Sequence, residues 1–356
     1  MRSIISATLL LSAFTLQSAL AGESVGTRDV TIHSPARAKE LAVTVWYPSD
    51  GQGETVKVGE NRIFKGAAGF RNAGIQPTRR PLVLLSHGSG SRGIGMAWIA
   101  TELAKAGFFV AAPDHPGTTS GDSTPEDTPK IWERTDDLST IITALSTDAQ
   151  WSKVIDVDRI GVLGFSLGGS AALELAGARA DLDAYVQYCV DYSTSMDCTW
   201  FSGGRGYRNN QRIDVPPFDL RSVDKARFEQ SNRDPRLRAA VLVDPGLEVA
   251  FQKESLKAIA IPLSFINLGS VGQIPVSVLS DQLAKDVPGA TYAQVDDANH
   301  FSFLPLCKDD AAAFLKSVGE IDPICEPAGP RDRADIHREL AALIVGAFDR
   351  SLKSSH

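Results

Sequence analysis

Between Arg159 and Ala178 the chain runs from the apolar stretch Ile160-Gly161-Val162-Leu163 through Gly164-Phe165-Ser166-Leu167-Gly168 into an Ala- and Leu-rich segment beginning at Ser170. The first part reads as a buried strand and the last as a helix, so the G-x-S-x-G between them is a strand-to-helix turn. A turn this tight forces the serine into a strained backbone conformation. Glycines on both sides remove the Cβ atoms that would strike the neighbouring strand and helix. The serine hydroxyl is then held above a sheet edge, beside the positive end of a helix.

The rest of the chain supplies the layers such a unit needs. Val30 to His33 and Leu41 to Tyr47 alternate and predict antiparallel opening strands. Residues 51–80 are polar and glycine-rich and read as a long surface excursion. A parallel rhythm follows. Pro81 to Ser86 is an apolar strand, and Met96, Ile99, Ala100, Leu103 and Ala104 mark one helix face. Phe108 to Ala112 is the next strand; Trp132, Leu138, Ile142 and Leu145 mark the next helix. After the serine unit come strands at Ala239 to Val243, Leu263 to Ile266 and Tyr292 to Val295. A helix is expected over Val276 to Leu283, and another carries Ile336, Leu340, Leu343, Ile344 and Phe348. This alternation predicts an α/β fold with a mostly parallel central sheet covered by helices on both faces.

A serine hydroxyl is a weak nucleophile at neutral pH and needs a base, which in turn needs a carboxylate to fix its tautomer. In this strand–turn–helix context the chain order is serine, acid, histidine. Only His300, His337 and His356 come late enough. His337 falls in the terminal helix pattern and His356 at the chain end, so both read as solvated. His300 follows the last strand, where ligands approach parallel sheets, and is the candidate base. Asp244 stands directly after its strand and is the candidate acid, with Asp296 and Asp297 assigned to shaping the His300 loop. The oxyanion donors expected are the N–H groups of Leu167 and of Ser89, in the turn His87-Gly88-Ser89-Gly90.

The 356 residues, 43% hydrophobic and 22% charged, suit one large domain, and a net charge of −7 gives no sign of nucleic acid or an anionic membrane as partner. Arg2, the apolar run Ile4 to Leu16 and Ala19-Leu20-Ala21 predict a signal peptide, residues 1–21, cleaved after Ala21. The domain is then 22–356, secreted or periplasmic, with no stable membrane insertion. In an oxidising compartment the four cysteines favour disulfides, and sequence proximity pairs Cys189 with Cys198 and Cys307 with Cys325. No C-x-x-C spacing suggests zinc or redox chemistry, and neither metal nor cofactor is expected. Residues from about 181 to 238 interrupt the rhythm with Tyr185, Tyr188, Trp200, Phe201, Tyr207 and several arginines. An insertion there is placed to act as a lid, or to form a decoration packed on its own small core.

Leu84-Leu85-Ser86-His87-Gly88, Gly164 to Gly169, Val243-Asp244, Ile261 to Asn267 and Asn299-His300-Phe301 resemble α/β-hydrolases of the predicted dienelactone hydrolase type, related to platelet-activating factor acetylhydrolases. The resemblance covers most of residues 28–318. It implies the α/β-hydrolase fold, supports Asp244 as the acid, and implies hydrolysis of short or truncated acyl esters, with a small-molecule ester as partner. The chain departs from the first group in having Ser166 rather than cysteine. It departs from the second at Phe165 and Pro245-Gly246. Three functions fit: an exported serine esterase, a peptidase or amidase with the same triad, and a binding protein that kept the fold without turnover. Competent residues at every triad position argue against the last; the oligomeric state is left open by the sequence.

Overall fold

The computed structural model describes residues 23–353; the expected signal peptide with its cleavage point, and His356, lie outside the described residues. The opening runs form β1 (Ser24–Ser34) and β2 (Lys39–Ser49), antiparallel with Ser24 opposite Ser49. Two strands, β3 (Glu54–Val58) and β4 (Ala67–Arg71), lie in the stretch expected to be an irregular excursion. They pair with each other, and β4 joins β1 at Gly26 and Thr27, so this segment extends the sheet instead of leaving it. Glu54, Lys57 and the glycines mask the alternation; an edge strand needs only one packed face.

The apolar runs become β5 (Arg80–Ser86) and β6 (Phe109–Pro113). A small hairpin, β7 (Thr118–Thr119) and β8 (Asp122–Ser123), precedes β9 (Ile155–Phe165), which leads to the serine. The insertion contains β10 (Gly206–Arg208) and β11 (Gln211–Ile213), and the chain then adds β12 (Leu237–Val243), β13 (Leu263–Leu268) and β14 (Thr291–Val295). The main sheet has the order β14-β13-β12-β9-β5-β6-β2-β1-β4-β3, and every neighbouring pair from β14 to β6 is parallel.

Helices α1 (Ala97–Lys105), α2 (Ile131–Thr147) and α3 (Leu167–Ala176) follow β5, β8 and β9. The insertion holds α4 (Leu182–Asp191), α5 (Met196–Trp200) and α6 (Lys225–Phe228). The short α7 (Lys253–Lys257) and α8 (Asp281–Asp286) precede β13 and β14, and α9 (Ala311–Ser317) and α10 (Arg333–Phe348) come last. Side chains alternate through the sheet. Leu82, Leu84 and Val162 pack with Leu138, Ile142 and Leu173 on one face; Val83, Leu85 and Leu163 pack with Ile99, Leu103, Leu340 and Ile344 on the other. With both faces covered, these strands read as unbroken apolar runs. Each leucine buried this way contributes about 1.5–3 kcal/mol.

Two expectations are corrected here. The helix foreseen over Val276 to Leu283 is a series of turns, and the helix begins only at Asp281. The cause is Asn267, whose amide donates to Val278 O at 2.6 Å and accepts from Ser280 N at 2.8 Å, taking backbone groups a helix would use. His337 is buried rather than solvated: its Nε2 contacts Ser302 O and Leu304 O at 3.0 Å each, and its ring stacks on Trp98 at 3.9 Å.

Candidate active site

The turn after β9 is built by exclusion. A Cβ on Gly164 would lie 2.2 Å from Gly168 O, and one on Gly168 would lie 1.9 Å from Ser86 O. With side chains impossible on both flanks, β9 enters α3 in one step and Ser166 takes up φ 55°, ψ −125°. The strain is held by the loop after β12: Gly246 N–H donates to Ser166 O at 2.9 Å, and Ser170 Oγ donates to Gly246 O at 2.8 Å. The Pro245-Gly246 loop is therefore the brace of the serine turn.

Ser166 Oγ lies 3.1 Å from His300 Nε2, and His300 Nδ1 lies 2.9 Å from Asp244 Oδ2. A carboxylate only accepts, so Nδ1 carries the proton and Nε2 is left to accept from the serine hydroxyl. Asp244 is fully buried at φ 42°, and its second oxygen accepts from Asn267 Nδ2 at 2.8 Å and Leu268 N at 2.9 Å. Asp296 and Asp297 take no part: Asp296 accepts from Gln294, and Asp297 occupies the turn at φ 56°.

The turn carrying His300 is held from several sides. Trp98 Nε1 donates to Phe303 O at 2.9 Å, and His337 holds Ser302 O and Leu304 O. Phe165 stacks on the His300 ring at 4.7 Å and on Phe303 at 4.4 Å. Asn267, Phe165 and His337 are the site-shaping residues the sequence reading did not assign. For Asn267 a signal was present, since an amide at the end of the strand beside Asp244 is well placed to donate to it.

Ser89 and Leu167, the expected oxyanion donors, line one cavity of about 1700 Å³ with Ser166 and His300. Neither N–H is taken by another protein group among the described residues. Gly88 crosses directly over the serine, where an added Cβ would sit 3.2 Å from Ser166 Cβ. The insertion contributes Tyr185, Met196, Asp197 and Trp200 to the cavity. It also has its own apolar cluster, in which Tyr185 packs near Phe201 and Phe228 and which continues onto Trp132 and Leu167. Asp197 accepts from Tyr188 Oη at 3.1 Å, and burial raises its carboxyl pKa. Cys189–Cys198 ties α4 to α5, and Cys307–Cys325 closes the segment after the His300 turn.

An open, largely parallel sheet with a strained serine at the start of a helix defines a class, and the comparisons agree with it. Residues 82–352 match the model described as the alpha/beta hydrolase family, and the chain belongs to that family. No curated protein matches the chain. Among solved structures, a ferulic acid esterase from Streptomyces cinnamoneus is 19% identical over 96% of this chain and 92% of its own, with a TM-score of 0.59. A dienelactone hydrolase from Anabaena variabilis is 13% identical over 92% of this chain and 99% of its own, with a TM-score of 0.46.

Proposed function

We propose that the chain is an exported serine esterase in which Ser166 is the nucleophile, His300 the general base and Asp244 its orienting carboxylate. The observation that carries this reading is the hydrogen-bonded chain Ser166 Oγ, His300 Nε2, His300 Nδ1, Asp244 Oδ2, with links of 3.1 and 2.9 Å, opening onto a large cavity. As Ser166 Oγ attacks the ester carbonyl, its proton passes to His300 Nε2. Asp244 stabilises the imidazolium and fixes the ring's orientation. The carbonyl oxygen, now negative, meets the N–H groups of Leu167 and Ser89. The alcohol leaves with the proton from His300, and water repeats the sequence on the acyl-enzyme.

The insertion serves as a lid whose Tyr185 and Trp200 form walls for the acyl or alcohol portion. The resemblance to platelet-activating factor acetylhydrolases favours short or truncated acyl chains, and a structural neighbour named as a ferulic acid esterase supports the ester reading. Two disulfides fit an exported protein, and no helix among the described residues is long and apolar enough to cross a membrane. The test is labelling with a fluorophosphonate followed by peptide mass spectrometry, alongside turnover of matched aryl esters and anilides. Label on Ser166 and ester turnover exceeding anilide turnover are expected. A label elsewhere removes the nucleophile assignment, and dominant anilide turnover makes the protein an amidase.

A further inference from the structure

Directly beneath the Ser89 turn lies a second Ser–His–Asp chain that the proposed reaction does not use. Ser86 Oγ is 3.0 Å from His115 Nε2, and His115 Nδ1 is 2.8 Å from Asp137 Oδ2. All three residues are fully buried. The protons can be assigned from their partners. Asp137 accepts, so His115 carries its proton on Nδ1 and receives the Ser86 hydroxyl proton bond at Nε2. The backbone N–H of His115 donates to His87 Nε2 at 3.1 Å, so His87 carries its proton on Nδ1 and donates to Gly88 O at 2.7 Å. Burial pushes both imidazoles well below their ordinary pKa, which keeps each Nε2 free to accept.

Arg134, 1% exposed on α2, reaches both ends of the turn. Its Nη1 donates to His87 O at 2.6 Å and lies 3.4 Å from Ser86 Oγ, holding the start. Its Nε donates to Thr118 Oγ1 at 3.0 Å, and Thr118 O accepts from Gly90 N at 2.9 Å, holding the end. Between these anchors lie only Gly88, packed on Ser166, and Ser89. Asp137 is in turn gripped by Arg37 through Nε at 2.6 Å and Nη2 at 2.8 Å.

We propose that Arg134, together with the Ser86–His115–Asp137 chain, is a positioning set that aims the Ser89 N–H at the oxyanion formed over Ser166. The inference rests on the serine esterase reading. These residues touch no substrate and act only through the turn. A displacement of the donor weakens transition-state binding while leaving ester binding in the ground state nearly unchanged.

The experiment compares wild type with Arg134→Met, Arg134→Lys and Ser86→Ala. Rates are expressed per active site by fluorophosphonate titration, which removes any misfolded fraction from the count. Arg134→Met should lower kcat roughly ten- to hundredfold with KM little changed, and should weaken a trifluoromethyl ketone, whose adduct bears the oxyanion, by the same factor. Arg134→Lys should recover part of both. Ser86→Ala, which removes one hydroxyl and leaves the fold's charges intact, should show a smaller loss of the same kind, and it carries the test if Arg134→Met does not fold. An active, Ser166-labelled wild type whose variants keep kcat per site, or change KM instead, overturns the positioning role alone. A wild type that neither labels at Ser166 nor turns over esters overturns the esterase reading and this inference with it.

Discussion

Two Ser–His–Asp chains run through this molecule with nearly the same geometry: links of 3.1 and 2.9 Å from Ser166 to Asp244, and of 3.0 and 2.8 Å from Ser86 to Asp137. Their surroundings differ in charge, access and strain. Both oxygens of Asp137 are bound by the Arg37 guanidinium, and Arg134 lies close by, so His115 is fully buried near two cations. An imidazolium there would be both desolvated and repelled. Asp244 is held by neutral donors only, Asn267 Nδ2 and Leu268 N–H, which leaves its negative charge to stabilise a proton arriving on His300. Ser86 ends a regular strand in the dry interior, whereas Ser166 is lifted at φ 55° into the cavity. Hydrogen-bond lengths do not distinguish the proposed nucleophile from the sealed serine; the charge behind the carboxylate and the space before the hydroxyl do.

The largest test of this contrast is removal of the two hydroxyls. Ser166→Ala should lower kcat about 10⁶-fold, as when other triads lose their nucleophile. Ser86→Ala should remain within about tenfold of wild type, because it acts only through a displaced donor. Steady-state rates on an aryl ester measure both, and comparable losses would erase the distinction. Next comes the acid. Asp244→Asn should favour the wrong imidazole tautomer and lower kcat about 10⁴-fold near neutral pH. If Asp296→Asn or Asp297→Asn has that effect instead, the wrong carboxylate is assigned. A smaller loss, about tenfold, is expected for Asn267→Leu, which takes one donor from Asp244.

The disulfides extend the comparison to the cavity walls. Cys307→Ser with Cys325→Ser should lower kcat a few-fold by loosening the segment after His300. The Cys189→Ser, Cys198→Ser pair should mostly alter preference among acyl lengths, because it frees α5 with Met196 and Asp197. A substrate panel on both variants separates the outcomes, and identical profiles would deny the lid its role in selection.

The smallest effect expected concerns a buried carboxylate that no cation pairs among the described residues. Glu174 accepts from Asn232 at 2.6 Å, and burial pushes its pKa up to about 8, against about 6 for Asp137 beside Arg37. The folded state therefore holds a proton that the unfolded chain releases near the ordinary glutamate value of 4.5, so stability falls as pH rises from there to about 8. Glu174→Gln should lack that fall and raise Tm more at pH 8 than at pH 5, read by thermal unfolding across the range.

How much of this was legible follows from where each signal resides. Ser166 and Asp244 stand directly after apolar strands and His300 in the turn after the last strand, and strand ends and chain order are properties of the sequence itself. The parallel sheet was legible for the same reason. His337 was not: it lies one residue after Ile336 and three before Leu340, at the border of the apolar stripe, and the Trp98 ring and the carbonyls of Ser302 and Leu304, all distant in sequence, draw it inside. Strands β3 and β4 were hidden because their pairing partners, not their own residues, make them strands. Arg134 and Asp137 look like ordinary polar residues of an amphipathic helix; the fold turns their side into a dry, charge-balanced layer under Ser89.

The two chains also differ in span. Ser86, His115 and Asp137 are separated by 29 and 22 residues, whereas Ser166 and His300 are 134 apart. During synthesis from the amino end, every member of the sealed chain has been made before Ser166 is added, and His300, the proposed base, arrives only after most of the protein exists. The residues proposed to seat the oxyanion turn are thus all in place along the chain before the proposed nucleophile is added, and long before its proposed base.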